Sequence, residues 1–494
     1  MKVLQPIDKI AIALMVVLGL IMGLLVWGGH ACDNNCLFHT GARVSSFSWQ
    51  NKFIGGEDRA FLLTFNRPMD RSTVEENLQI APPLPGKISW SGLTLAYTLE
   101  TPAPYGETYQ VNLDGARDRF AAEDGEVMQP FVGKFRSRDR AFAYIGSQGE
   151  ENGRLVLYNW TQQQKTILTP GNLIVFDFEP YPQGDRLLFS AADSDSEIDS
   201  IRTLQLYTVT TGLNNRATED FRPQLKLILD NKKYQNNKFD LSQDGKTIVV
   251  QRINRQQPSD FGLWAIAETK SPQLISDSPG GDFLLTPDSQ TIAVAQGEGI
   301  ALLPLQPDAD PIDFLPQFGQ VLSFAPDGSG AAMINYNTDN ANLRYTRSLF
   351  YVNNQGKQTE LLNTEGSILD CQFNPSATQL YCWLTKVEKT TEYKEKPYLA
   401  TIDIQTGKTT PILALPEYQD SQISIAPDGL GILFDRILTG EVAATANTPT
   451  TNSGEAIVNS YVWMLIPSPS QSPNSSPYQL EQLPFLGFRP QWLP

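Results

Sequence analysis

The chain has 494 residues, room for two or three domains. A formal net charge of −16 and a pI near 4.7 exclude a nucleic-acid partner, because phosphate binding needs a basic field. The 24 Phe, 17 Tyr and 8 Trp exclude a disordered chain, and 36 Gly with 34 Pro fit many turns and few long helices.

Residues 10–27, from Ile10 to Trp27, form an apolar run without a charge, long enough for a short membrane span. Lys2 and Lys9 precede it and Asp33 follows, so the positive-inside rule places residues 1–9 in the cytoplasm. The reading is a single-pass signal anchor in a bacterial inner (cytoplasmic) membrane, a juxtamembrane linker at 28–41, and the bulk of the chain extracytoplasmic, in the periplasm. Two alternatives stand beside it. Gly29-His-Ala31 is a passable cleavage site, although the apolar run is longer than the roughly 7–15 residues usual for cleaved signals. Lipid attachment at Cys32 is disfavoured by His30 and by the absence of Leu three residues before it. His30, Cys32, Cys36 and His39 offer four soft ligands within ten residues, which suits either one tetrahedral metal ion or a local Cys32–Cys36 disulfide.

From residue 42 to 139 the pattern is short strands broken by Pro, Gly and Asp: Ala60–Phe65, Lys87–Trp90, Thr94–Thr98, Thr108–Leu113 and Phe131–Phe135, with a short helix at Ser72–Asn77. Strands at this spacing predict a β-sandwich. The stretches "FNRPMDRSTVEENLQI", "YTLETPAPYGETYQVNLDGARD" and "FVGKFRSR" resemble the bacterial Ig-like domains of the SbsA-like kind. That resemblance implies a spacer or interaction module without chemistry of its own.

Residues 140–494 carry seven copies of a large apolar residue, one spacer and a turn, 39 to 63 residues apart. They begin at Phe178, Leu241, Leu285, Phe324, Phe373, Ile425 and Phe488; Phe324-Ala-Pro-Asp-Gly328 is typical. A period of this size marks an array of supersecondary units. Each turn is followed by apolar strands such as Thr247–Gln251 and Gly262–Ile266, giving four strands per unit, the blade of a β-propeller. Ala141–Ile145, Arg154–Tyr158 and Lys165–Leu168 read as a unit lacking its first strand, and Gly487–Trp492 as a first strand lacking the rest. Joined, they predict an all-β, seven-bladed propeller closed by the C-terminal strand, which leaves few open sheet edges. The Phe-x-Pro-Asp-Gly turns resemble TolB-like and WD-repeat-like propellers. The Trp-Asp and Gly-His marks of WD repeats are missing, so the TolB-like group is nearer. The resemblance implies an extracytoplasmic propeller that binds partners through loops at one end. Two low-complexity stretches, Gly440–Ser460 and Pro467–Pro477, read as loops that expand the last complete blade.

Chemistry is sparse. Both histidines, His30 and His39, lie beside the predicted span, so residues 42–494 contain none. A Ser-His-Asp triad and His-ligated zinc are therefore excluded there, and no Gly-x-Ser-x-Gly elbow occurs. Cys371 and Cys382 flank a turn symmetrically, as either a cross-strand disulfide or two buried thiols. The alternating carboxylates from Asp193 to Asp199 suit Ca²⁺ or a solvated loop, without the Gly and Glu of an EF-hand. Trp264, Tyr351, Trp383 and Trp463 read as core or inter-blade packing, with a sugar platform as the alternative.

The function expected is a non-catalytic, membrane-anchored binding or scaffold protein that holds an envelope protein or polysaccharide on one propeller face, with no cofactor and no metal assigned. The alternatives are a carbohydrate-active hydrolase or lyase using acidic residues of the propeller channel, and a structural envelope component. Clustered acids with raised pKa values in a central pocket would speak for the enzyme, and a broad loop face without them for the binder.

Overall fold

The computed structural model describes residues 41–494 except 120–125, 195–199, 214–220, 268–270, 278–280, 298, 307–308, 390–392, 416–421, 441–455 and 469–476. The expected anchor at 10–27, and with it His30, Cys32, Cys36 and His39, lies outside the described residues, as does most of the acidic run after Asp193. Among the described residues no helix is long and apolar enough to cross a membrane.

The chain divides into two compact units, and the dividing line is crossed more than once. Segments 59–101 and 108–135 fall in the first, whereas Phe53–Asp58 and Pro102–Glu107 cluster with Arg136–Pro494 in the second.

In the first unit, the strands Val44–Phe47, Ala60–Phe65, Thr94–Leu99 and Gly86–Ser91 pair in that order; Phe131–Ser137, Thr108–Leu113 and Leu78–Ala81 pair in another sheet. Alternate side chains of Ala60–Phe65 and Thr108–Leu113 are buried, the period of a strand with one face inward. The two sheets meet through aromatic rings. Phe47 and Trp49 each contact both Phe61 of one sheet and Phe135 of the other, at 4.9–6.2 Å. The predicted helix is present as Arg71–Asn77. Asp70 caps it, accepting the Ser72 N–H at 3.1 Å, which explains the Pro-Met-Asp sequence before it.

The second unit contains five four-stranded antiparallel sheets in chain order and one seven-stranded sheet. The inner strands of the five are Leu173–Pro180, Tyr234–Leu241, Phe283–Leu285, Gln320–Phe324 and Ile368–Phe373. In the seven-stranded sheet, the long strand Tyr478–Trp492 lies at the centre. It pairs with Ala456–Pro467 through its first part, and its last residues, Gly487 to Trp492, pair with Ala141–Gly146.

The repeated turns follow the sequence chemistry closely. In each, the residue after the inner strand donates its N–H across the turn, as Ala325 does to the Gly330 carbonyl at 2.8 Å. The repeated Asp caps its own turn: Asp244, Asp288, Asp327 and Asp428 accept backbone N–H groups two residues on, at 2.7–3.0 Å. Positive φ falls on Gly245, Gly328 and Gly429, and at the same place on Ser289 and Ala377.

Two copies of the repeat sit out of register with the reading from sequence. The turn of the first copy is Tyr181-Pro-Gln-Gly184, closed by Gly184 N–H to Tyr181 O at 2.8 Å, so Pro180 rather than Phe178 stands where Phe324 stands. In the last copy Leu493 donates to Ala141 O at 2.9 Å, which makes Trp492-Leu-Pro494, not Phe488-Arg-Pro490, the equivalent triplet. The slip of two residues is even and lies beyond the bulge at Val175/Asp177, so it leaves each side chain on its own face and hides from a pattern search, whereas the slip of four crosses the bulge between Phe488 and Gln491. A second correction concerns Gly440–Ser460. Its last residues are strand: Leu438 pairs Asn459, Thr439 pairs Ile457 and Gly440 pairs Ala456. The β-branched Ile457 and Val458 carry that extension.

The core of this unit lies between neighbouring sheets. Leu188 and Leu206 meet Phe239 and Val250, Val249 and Leu263 meet Ile292 and Val294, and Leu380 and Ile402 meet Ile334 and Leu349. Trp383 is 1% exposed and packs edge-on against Phe434 at 5.9 Å, Tyr351 reaches Phe373 at 6.2 Å, and Trp264 meets Tyr234 at 5.5 Å. Trp463 lies under the Arg436 guanidinium at 5.6 Å. These aromatic residues are packing groups. Cys371 and Cys382 stand opposite one another in register and are joined as a disulfide, eleven residues apart in sequence. Reducing it is expected to cost about 3 kcal/mol, the chain-entropy value for a loop of that length. Urea unfolding with and without a reducing agent measures it.

Candidate ligand-binding well

The inner strands of the second unit surround one cavity of about 740 Å³. Numbering each inner strand back from its final residue (Pro180, Leu241, Leu285, Phe324, Phe373, Ile425, Trp492) sorts its walls into two tiers. One residue back come Glu179, Asp240, Leu284, Gln372 and Gln491; three residues back come Asp177, Lys238, Asp282, Val321, Asp370, Gln422 and Arg489. Register shifts break the inner-strand pairing at Val175/Asp177, Asn236/Phe239, Val321/Ser323, Ile368/Asp370 and Phe488/Gln491, at or beside the second tier. Positions one and three back share a strand face by the period-2 alternation, which puts both tiers on the cavity side. Ile437 and Ile457, from the extended hairpin, and the buried Asp435 also line it.

Six carboxyl groups therefore face this cavity with two cations. In the second tier each cation is already engaged. Arg489 Nη1 lies 2.6 Å from Asp177 Oδ1, and Lys238 is ion-paired with Asp282. Among the described residues no cation pairs with Asp370; its neighbours are the Cys371 N–H and the Gln372 amide, 3.4 Å from Oδ2. Burial pushes its carboxyl from an ordinary 3.8 up to about 6, against the pull of those two donors.

In the first tier Glu179 and Asp240 occupy equivalent places on adjacent inner strands, which is why their carboxyls meet. Asp240 is 7% exposed and accepts the Leu285 N–H at 2.5 Å and the Leu241 N–H at 2.9 Å. Glu179 Oε2 is buried and makes no hydrogen bond among the described residues, although the Leu241 N–H lies near enough to the carboxyl to pull against its rise. Burial, then the charge of Asp240, drive Glu179 well above the usual carboxylate range; burial also raises Asp240, which backbone N–H groups and Lys238 partly restrain. Two buried carboxyls side by side resist ionising together, so Glu179 keeps its proton to higher pH than an ordinary glutamate.

None of these residues was singled out from the sequence, which placed only unnamed carboxylates in a central well. The signal existed: once the repeat register is fixed, offsets of one and three before the turn name them. Among the described residues no group of three or more His, Cys, Asp and Glu is arranged to hold a metal ion. The candidate thiols Cys371 and Cys382 lie outside the well's lining.

No protein-family model matches the chain, and no curated protein sequence matches it. Among solved structures it is similar to TolB from Acinetobacter baumannii, at 10% identity over 85% of this chain and 83% of that one, with a TM-score of 0.40. It is also similar to the oligogalacturonate lyase of Vibrio parahaemolyticus (12%, 67% and 95%, TM-score 0.43) and to a puromycin hydrolase (12%, 70% and 60%, TM-score 0.39). Likeness at this level transfers no activity. In architecture the chain is all-β and similar to the TolB-like β-propellers.

Proposed function

We propose that the chain is a non-catalytic, membrane-anchored extracytoplasmic binding protein whose propeller receives a positively charged part of an envelope protein or polymer in its central well. In this reading residues 10–27 anchor it in the inner membrane, 42–139 form an Ig-like module of the SbsA-like kind, and 140–494 form seven blades closed by the C-terminal strand. The pairing of Gly487–Trp492 with Ala141–Gly146 supports the closure, and apolar clusters between successive sheets support the count. The observation that carries the function is the well itself: six carboxyls against two cations in one cavity.

A carbohydrate-active hydrolase or lyase is the second reading, and the raised carboxyls at Glu179, Asp240 and Asp370 favour it. Binding stands ahead because most of these acids are already engaged within the chain, as Asp177–Arg489, Asp282–Lys238 and Glu179–Asp240, and because residues 42–494 contain no histidine. The test is titration of fluorescent tri-lysine and tri-glutamate into the full chain in neutral detergent. Tri-lysine should bind and weaken with salt, while tri-glutamate should not; equal binding of both would overturn the reading. Arg489→Ala removes the internal competitor for Asp177 and should strengthen tri-lysine binding by up to about fivefold, the worth of a partly exposed ion pair. New ends on an acidic polysaccharide incubated with the protein would instead establish the enzyme.

A further inference from the structure

We infer that Glu179 and Asp240 form a proton-exchange seat for a primary amine: an arriving ammonium group replaces the proton that Glu179 keeps, and that proton leaves to solvent. This rests on the reading above and names the ligand group and its regulation.

The geometry carries it. The two acids lie in the same tier on neighbouring inner strands and both line the cavity. Asp240 is fixed by two backbone N–H groups, from its own strand and from Leu285 on the next. Glu179 lines the same cavity, and its buried Oε2 makes no hydrogen bond among the described residues. A buried carboxyl oxygen without a hydrogen-bond partner is destabilised, and an ammonium group brings three N–H donors to relieve it. The cations already present do not fill this role, because Lys238 is held by Asp282 and Arg489 by Asp177.

The exchange balances in charge. Before binding, one carboxylic acid and one carboxylate carry −1 against the ammonium's +1. Afterwards two carboxylates carry −2 against the ammonium, and one proton is in solution. The charged groups that face the pair are Asp177 on the strand of Glu179, Lys238 on the strand of Asp240, and Asp282, Asp370, Asp435 and Arg489 from the other walls. The acids among them outnumber the cations four to two, so they favour keeping the proton while the well is empty and favour an ammonium in its place. Because Glu179 titrates above the ordinary carboxylate range, affinity should rise with pH across that interval. The slope is up to about tenfold per pH unit for one proton exchanged.

The experiment is isothermal titration of tri-lysine into the full chain in neutral detergent, in two buffers of different ionisation enthalpy, which counts the protons released. About one proton should be released by the wild type and almost none by Glu179→Gln, with affinity for tri-lysine falling roughly tenfold in the variant. Asp240→Asn serves as the second variant should Glu179→Gln fail to fold, and the pH slope of the wild type needs no variant at all. Binding without proton release and without a pH slope overturns this inference and leaves the binding function standing. Absence of any tri-lysine binding overturns both.

Discussion

Trp492→Ala is expected to destabilise the propeller by about 3–5 kcal/mol, the range for deleting a large buried aromatic ring. Trp492 is only 5% exposed and stands at the final inner-strand position of the last repeat. Its ring lies 4.6 Å from the Arg140 guanidinium and 5.6 Å from Phe142, while its backbone N–H, which alanine keeps, donates to Ser424 Oγ at 2.9 Å. The residue therefore joins the tail to the first strand of the unit and to the inner strand Ile423–Ile425. Losing it opens a cavity where sequence-distant strands meet. Urea unfolding followed by tryptophan fluorescence measures the effect, with Leu430→Ala, at a residue 57% exposed, as a control that should stay within about 0.5 kcal/mol. A loss below 1 kcal/mol for Trp492→Ala would mean that the C-terminal strand does not hold the unit together.

Asp370→Asn should stabilise the protein at neutral pH by roughly 2–3 kcal/mol. The folded-state carboxyl titrates near 6 rather than 3.8, so the folded state binds the proton more tightly than the unfolded chain does. The usual aspartate contribution is thereby inverted. Stability is highest below about pH 4, falls as pH rises from 3.8 to about 6, and stays reduced above that. Each unit of displacement corresponds to about 1.4 kcal/mol. Asparagine keeps a carbonyl oxygen for the Cys371 N–H and cannot ionise, so this slope should vanish in the variant. Unfolding free energies measured from pH 4 to 8 decide it, and parallel curves for the two proteins would refute the assignment. The same substitution bears on the second functional reading: an enzyme using Asp370 as its acid would lose turnover.

Much of the fold is legible in the residues. The Pro-Asp-Gly turns with their self-capping aspartates, the apolar strands after them, the unmatched strands at the two ends and the Pro-Met-Asp entry to the helix Arg71–Asn77 all follow from local chemistry. The errors came where local rules are silent. Phe178-Glu-Pro180 and Phe488-Arg-Pro490 fit the repeat pattern but lie two and four residues from the true positions. Only hydrogen bonds to Arg186 and Ala141 reveal this, by fixing which residue ends each strand. The pairing of Gly440 with Ala456 was likewise invisible, because a run of Thr, Ala and Asn resembles a loop until its ends are seen side by side.

The candidate site was less legible still. Glu179 and Asp240 are separated by 61 positions and carry no motif; they meet because equivalent offsets on successive inner strands converge on one cavity, with the tier of Asp177 and Asp370 two residues back on the same strand face. Amino-acid order alone determined the strand period, the turn chemistry and the lack of imidazole in residues 42–494, because these depend on neighbours a few bonds apart. Which carboxyls face one another, which cations they are denied, and hence where a proton is held, were decided only by tertiary structure, because burial and charge proximity are properties of space rather than of sequence distance.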